Sequence, residues 1–465
     1  MKKRIILFLL SLLLVLGASS CATDTENAFR ATGDAWCMGF GSKEIALPEH
    51  CDDPLYIAGY HAGREITEVL DLPRASALWA DTGTGGVLLI GIDCVGLGHD
   101  TVQAIRQALA GFCAGSGCIS VNVYATHTHA GIDTLGLWGP AAIDGKNDAY
   151  MKNLIDAATA AARAAYEDRA AGTLYYGKAL PEDLLYDSRE PIEYDPYLYQ
   201  LRFEPTDAGK NGIRLLSYAA HAESLRGDNT ALSRDFPGAV VDAIKATVGD
   251  DAMFMPGAIG GLIMTRELTE PFDALLNMQQ TAAALTNAAL SIRDEITLSP
   301  TLALATVPLD VPLDNTMFFY YKFLGILGNE VSRGKSATGY VLHSELSVLQ
   351  LGEITLALIP GEIFPELVSG QGLGQGDPAS LAEIAAGYGV RELLIVGLCN
   401  DELGYIIPPS DYLLHPDTPY MDTVTDGKGE NHYEETNSTG ILTAERIASA
   451  FSLALEQLCS LTDCT

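Results

Sequence analysis

Positive charge is scarce in this chain: 28 lysines and arginines stand against 60 aspartates and glutamates. A surface this acidic repels phosphate backbones, which excludes nucleic acid as a partner and makes anionic membrane surfaces unfavourable. Cysteine is also sparse. None of the nine cysteines forms a Cys-x-x-Cys pair, so a zinc site of that spacing is excluded. The one long apolar run, Ile5 to Leu16, is too short to span a bilayer comfortably. No Gly/Ser/Pro linker, repeat or low-complexity tract divides the chain, and no feature marks a protein partner.

What is present at the N-terminus has the form of an export signal. Lys2, Lys3 and Arg4 precede the apolar run, and Gly17, Ala18, Ser19 and Ser20 then lead to Cys21 in the manner of a bacterial lipobox. Residues 1–20 are therefore expected to be removed, leaving Cys21 as a lipidated N-terminus that holds the protein to the cell-envelope membrane; ordinary secretion is the alternative. Removal of three basic residues leaves 25 against 60 acidic ones, a net charge of −35. Residues 21–35 are expected to form a tether and residues 36–465 one large domain. Export permits disulfides, and Cys113 with Cys118 and Cys459 with Cys464 are close enough in sequence to close small loops.

Apolar runs alternate with helical segments throughout. Val87 to Val95 is expected to be a buried strand, Asp100 to Phe112 an amphipathic helix and Val121 to Thr126 the next strand, a βαβ unit. Helices are expected over Tyr150 to Ala171, Pro237 to Val248, begun by its proline, and Ala274 to Arg293. Further strands are expected over Ile213 to Ala220, Leu302 to Val311, Ser347 to Ile359 and Leu393 to Leu398. The class is α/β, with mixed sheets flanked by helices.

Four polar groups stand just past the ends of apolar runs. His127 follows Val121 to Thr126, and side-chain alternation along a strand would place His129 on the same side. His221 follows Ile213 to Ala220, Glu362 lies in Ile-Pro-Gly-Glu, and Tyr405 comes after Asn400 and Asp401. Strand ends converge on one rim in open α/β sheets, so positions far apart in sequence can meet there. Two histidines and a carboxylate suit zinc, which activates water for attack on a carbonyl carbon. Each residue also has an ordinary structural use: a core histidine, a turn carboxylate, a packed aromatic.

These residues fall in blocks that resemble, in order, the catalytic domain of the neutral, non-lysosomal ceramidases, which are zinc amidases. The blocks are Ala125-Thr126-His127-Thr128-His129-Ala130-Gly131, Ser188-Arg189-Glu190-Pro191, Ala220-His221-Ala222-Glu223-Ser224, Ser233-Arg234-Asp235-Phe236-Pro237-Gly238, Pro360-Gly361-Glu362, Gly397-Leu398-Cys399-Asn400 with Tyr405, and Tyr433-Glu434. The resemblance implies a ceramidase-like fold, with a Zn2+ ion on His127, His221, Glu362 and Tyr405. It also implies that His129, Arg189 and Tyr433 line the pocket as catalytic groups, and that Tyr412 is a packing residue. Two departures stand out. Ile263 falls where the family carries a serine, which excludes a serine nucleophile there and leaves attack by water. The sequence ends at Thr465, so the β-sandwich that follows the catalytic domain in the family is expected to be absent. The expected function is zinc-dependent hydrolysis of an amide in a lipid or N-acyl compound. The alternatives are an esterase or lactonase at the same site, and a surface lipoprotein that binds a ligand without turning it over.

Overall fold

A computed structural model describes residues 28–49, 54–140 and 143–461. The expected signal, Cys21 and Cys464 lie outside the described residues. Ala28–Thr32 falls within the expected tether but is a strand, paired antiparallel with Thr301–Pro312. Its Phe29 packs against the core between the sheets, so the folded unit takes in part of what sequence assigned to the tether.

Two sheets pack face to face. The larger runs in the spatial order Asp251–Pro256, Ile213–Tyr218, Leu198–Pro205, Ala170–Ala179, Trp36–Glu44, Arg74–Asp81, Gly86–Ile92 and Cys118–Ala125, with Ile296–Leu298 added beside Ala170–Ala179. Its outermost pair at each end is parallel and its interior antiparallel. The smaller sheet holds Ala28–Thr32, Thr301–Pro312, Tyr340–Leu351, Ile354–Leu358 and Glu392–Val396 in that order, with Val331–Arg333 added beside Tyr340–Leu351. Alternation along the strands explains the layering. Leu78 and Leu89 face the other sheet and pack with Leu304, Leu349 and Leu356. Their neighbours Ala77, Trp79, Leu88 and Ile90 face the helices His99–Ser116 and Asp148–Asp168. The helix Thr443–Ser460 covers the outer face of the smaller sheet, burying Ile447, Phe451, Leu455 and Leu458. The result is a helix–sheet–sheet–helix α/β arrangement. Among the described residues, no helix is long and apolar enough to cross a membrane.

The expected βαβ unit is present: Gly86–Ile92 and Cys118–Ala125 are parallel and joined by His99–Ser116. Two boundaries differ in kind. The stretch Ser347 to Ile359, expected as one strand, is two antiparallel strands, because Gly352 takes φ +62° and turns the chain with Glu353 between Leu351 and Ile354. The helix expected from Tyr150 to Ala171 is Asp148–Asp168, started by the Asn147 side chain accepting from the Tyr150 backbone N–H; Ala170 already belongs to a strand. Cys113 and Cys118 lie together as two thiols without a bridge.

Candidate active site

His127 follows the strand at one edge of the larger sheet and His221 the strand second from the other edge, and the loops beyond those strands bring them together. The backbone N–H of His129 donates to the Ala222 carbonyl (3.1 Å), and Thr128 and Ala222 form a parallel bridge. The smaller sheet joins through Asn400, whose N–H donates to the Val123 carbonyl (2.7 Å), and Gly397, whose N–H donates to Pro256 (3.1 Å). Glu362 and Tyr405 become neighbours because they pair in a short parallel ladder. The strand before His127 stops at Ala125, and His127 itself takes φ +63°. Strand alternation is therefore not what places the two histidines; a left-handed backbone held by packing does so.

The three imidazoles are buried with rings 4.7 to 5.7 Å apart. His127 Nδ1 lies 2.6 Å from the Val95 carbonyl and His221 Nδ1 lies 3.0 Å from the Ile263 carbonyl. A carbonyl only accepts, so both Nδ1 atoms carry the proton and both Nε2 atoms present a lone pair inward. Glu362 Oε2 lies 3.0 Å from His221 Nε2 and 3.5 Å from His127 Nε2, while His129 Nε2 lies 3.0 Å from His127 Nε2. His127, His129 and His221 could hold a metal ion together. Inward lone pairs backed by outer carbonyls, with a carboxylate among them, are the donor set a divalent metal takes. Burial pushes the Glu362 carboxyl up, but His127 and His221 outweigh it and hold the group well below the usual carboxylate range. Burial lowers His129 to about 3, so its imidazole is neutral at physiological pH.

His129 has its own support. Glu223 Oε1 stands 3.3 Å from His129 Nδ1, off the line of a good hydrogen bond, and Tyr60 donates its hydroxyl to Glu223 Oε2. Arg64 donates to the carbonyls of Ala58 (2.6 Å) and His129 (3.2 Å), tying the two loops together. Gly59, at φ +101°, leaves room for the ring: a Cβ there would come 2.3 Å from His129 Cγ.

His127, His129, Glu223, Glu362, Tyr405 and Tyr433 line one wall of a cavity of about 710 Å³. Leu135, Trp138, Met317, Phe318, Leu327 and Met421 supply much of the rest. Tyr405 and Tyr433 share a hydrogen bond of 2.7 Å between their hydroxyls, and burial raises both phenols well above the usual range. Tyr433 thus stands in the pocket as expected, and Tyr405 stands beside Glu362. Tyr412 bonds Ser438 (2.6 Å) and packs against the core, also as expected. Near the missing serine, Leu262 and Met264 face the cavity, while Ile263 is buried and holds His221 through its carbonyl. Among the described lining residues there is neither serine nor cysteine.

The chain superposes over 92% of its length on the crystal structure of neutral ceramidase from Pseudomonas aeruginosa, with a TM-score of 0.69 at 14% identity and 75% of that chain covered. The fold is that of the neutral ceramidases. A second structure, a ceramidase complexed with C2, gives a TM-score of 0.68 at 15% identity, covering 92% of this chain and 75% of that one. No family model and no curated protein matches the sequence.

Within this ceramidase-like fold one expected residue is misplaced. Arg189 does not line the cavity. Its guanidinium is buried against Asp411 (2.7 Å), Glu434 (2.7 Å) and Glu435 (3.1 Å), so it is consumed by three carboxylates and has no free edge for a substrate. Sequence reasoning also missed Tyr60, Glu223 and Glu402. Glu402 lines the cavity with one buried oxygen unpartnered, and burial together with the nearby Glu362 raises its carboxyl well above the usual range. The local signal for Glu223 was a carboxylate two residues beyond His221; nothing in sequence marked Tyr60.

Proposed function

We propose that the protein is a metal-dependent hydrolase that cleaves the amide of a lipid-like N-acyl compound, with zinc on His127, His221, Glu362 and Tyr405. The observation that carries this is the convergence of inward imidazole nitrogens and one carboxylate on the wall of a large, mostly apolar cavity. A divalent ion at such a donor set polarises a carbonyl and lowers the pKa of water, the two effects amide hydrolysis needs.

The remaining work falls to this chain's side chains. Neutral His129 takes the proton of the attacking water at Nε2, and Glu223 steadies the imidazolium that forms through the Nδ1 side. Water oxygen bonds to the carbonyl carbon, the C–N bond breaks, and His129 returns the proton to the leaving amine. Tyr433, oriented by the Tyr405 hydroxyl, donates towards the oxygen that gains charge. The described lining residues include neither serine nor cysteine, and the hydroxyls of Thr134, Thr436 and Thr439 are engaged with Gly96, Tyr433 and Thr443, which supports water as the nucleophile. Purified protein loaded with zinc should release free fatty acid from long-chain N-acyl amides. Release from matched esters alone would move the reaction to an esterase, and binding without release would make the site a non-catalytic receptor.

A further inference from the structure

The helix Thr316–Phe323 has two faces. Met317, Phe318 and Tyr321 line the cavity. On its other side Tyr320 is 60% exposed and Phe323 58%, Leu324 just beyond is 62% exposed, and Met421, also at the cavity, is 62% exposed. Large apolar groups left this open mark an interaction surface. The lip is firmly based: the Phe323 ring packs on Phe319 (4.7 Å) and Tyr340 (5.5 Å), and Arg333 caps Tyr340 at 4.4 Å. Lys322, Arg333 and Lys335 enter no ion pair among the described residues, although acidic groups outnumber basic ones about two to one in the chain.

We propose that this lip docks on the surface of a phospholipid bilayer. Aromatic and aliphatic tips flanked by unpaired cations suit the boundary between acyl chains and phosphates, where rings bury their bodies and Lys or Arg reach the headgroups. Charge complementarity is local: Arg333 and Lys335 are exposed and Lys322 half-buried, cations without carboxylate partners among the described residues on a chain whose net charge is −32. The same short helix forms lip and cavity lining, so a lipid substrate leaves the bilayer directly into the cavity. That last consequence rests on the lipid-amide reading above, while the docking is measured apart from it.

The test is cosedimentation of the mature chain with phosphatidylcholine vesicles. Residues 1–21 are omitted, so that neither the apolar run Ile5 to Leu16 nor an acyl group at Cys21 contributes. The chain should partition onto vesicles, and Tyr320→Ser/Phe323→Ser/Leu324→Ser should reduce the partition coefficient by about tenfold or more. Phe323→Asp alone, which touches one exposed position, should show the same direction if the triple variant folds poorly. Hydrolysis of a soluble short-chain N-acyl amide should be unchanged by either variant, and hydrolysis of a long-chain amide held in vesicles should fall. Equal partition of variant and parent, or no partition of the parent, overturns docking even if the soluble amide is cleaved. Conversion of a parent dimer to a monomer without vesicle binding also overturns it, in favour of a second copy of the chain. Lip-dependent vesicle binding with no amide turnover leaves docking standing and removes the amidase reading.

Discussion

Glu223 lies two residues beyond His221 in sequence, yet in space its carboxylate meets His129, 3.3 Å from Nδ1, while Tyr60 holds its other oxygen. Carboxylates behind a working histidine set its tautomer and ring angle, and removing them typically costs about tenfold to a hundredfold in activity or metal affinity. Glu223→Gln should therefore lower kcat by about that factor, with KM for the amide nearly unchanged. A rise in KM with kcat unchanged would show that Glu223 serves only binding. Arg189 teaches the opposite lesson. The resemblance implied that Arg189 lines the pocket, but the carboxylates that neutralise it arrive 222 to 246 positions later, at Asp411, Glu434 and Glu435. No local pattern announces such partners.

At the scale of elements, the short helix Pro365–Ser369 carries Glu366, which is buried with one oxygen unpartnered and close to Asp187 and Asp411. Burial, helped by those two acids, raises its carboxyl to about 8. The folded protein then holds a proton that the unfolded chain releases near the ordinary glutamate value. Stability from this group is therefore greatest at acidic pH, declines as pH rises out of the carboxylate range, and the loss is complete above about 8. Glu366→Gln should flatten that decline, so its Tm should exceed the parent's by a few degrees at pH 8.5 and by much less at pH 5. A thermal melt series across that range checks it; parallel curves would mean that Glu366 is already ionised in the fold. The elements themselves were legible where apolar period was regular, as in the βαβ unit ending at Ala125. The hairpin at Gly352 was passed over although Gly352-Glu353 marks it, because the strands on either side are both rich in buried apolar residues and the two-residue turn that takes the positive φ is short.

For the whole molecule, the candidate metal centre is drawn from four separated segments: the loop after Ala125, the loop after Tyr218, and the paired residues Glu362 and Tyr405. An ion bound there ties both sheets together in the native state alone, since the unfolded chain cannot gather those groups. Zinc at about a thousand times its dissociation constant should then add about 4 kcal/mol of stability, a Tm rise of several degrees that a chelator reverses. A Tm indifferent to both zinc and chelator would remove the ion from the account.

Composition and apolar period determined the class of fold and the excess of acidic groups, because these are local properties, while His127, His221 and Glu362 were singled out among the polar groups at strand ends by the resemblance to the ceramidase blocks. Which of the chemically suitable residues meet was decided only by tertiary structure. The loop bridge between Thr128 and Ala222, and the pairing of Glu362 with Tyr405, set distances that depend on segments hundreds of residues apart. The same long-range packing withdrew Arg189 from the cavity and put Glu223 beside His129, since a side chain's partners are fixed by the three-dimensional path of the backbone and not by its neighbours in sequence.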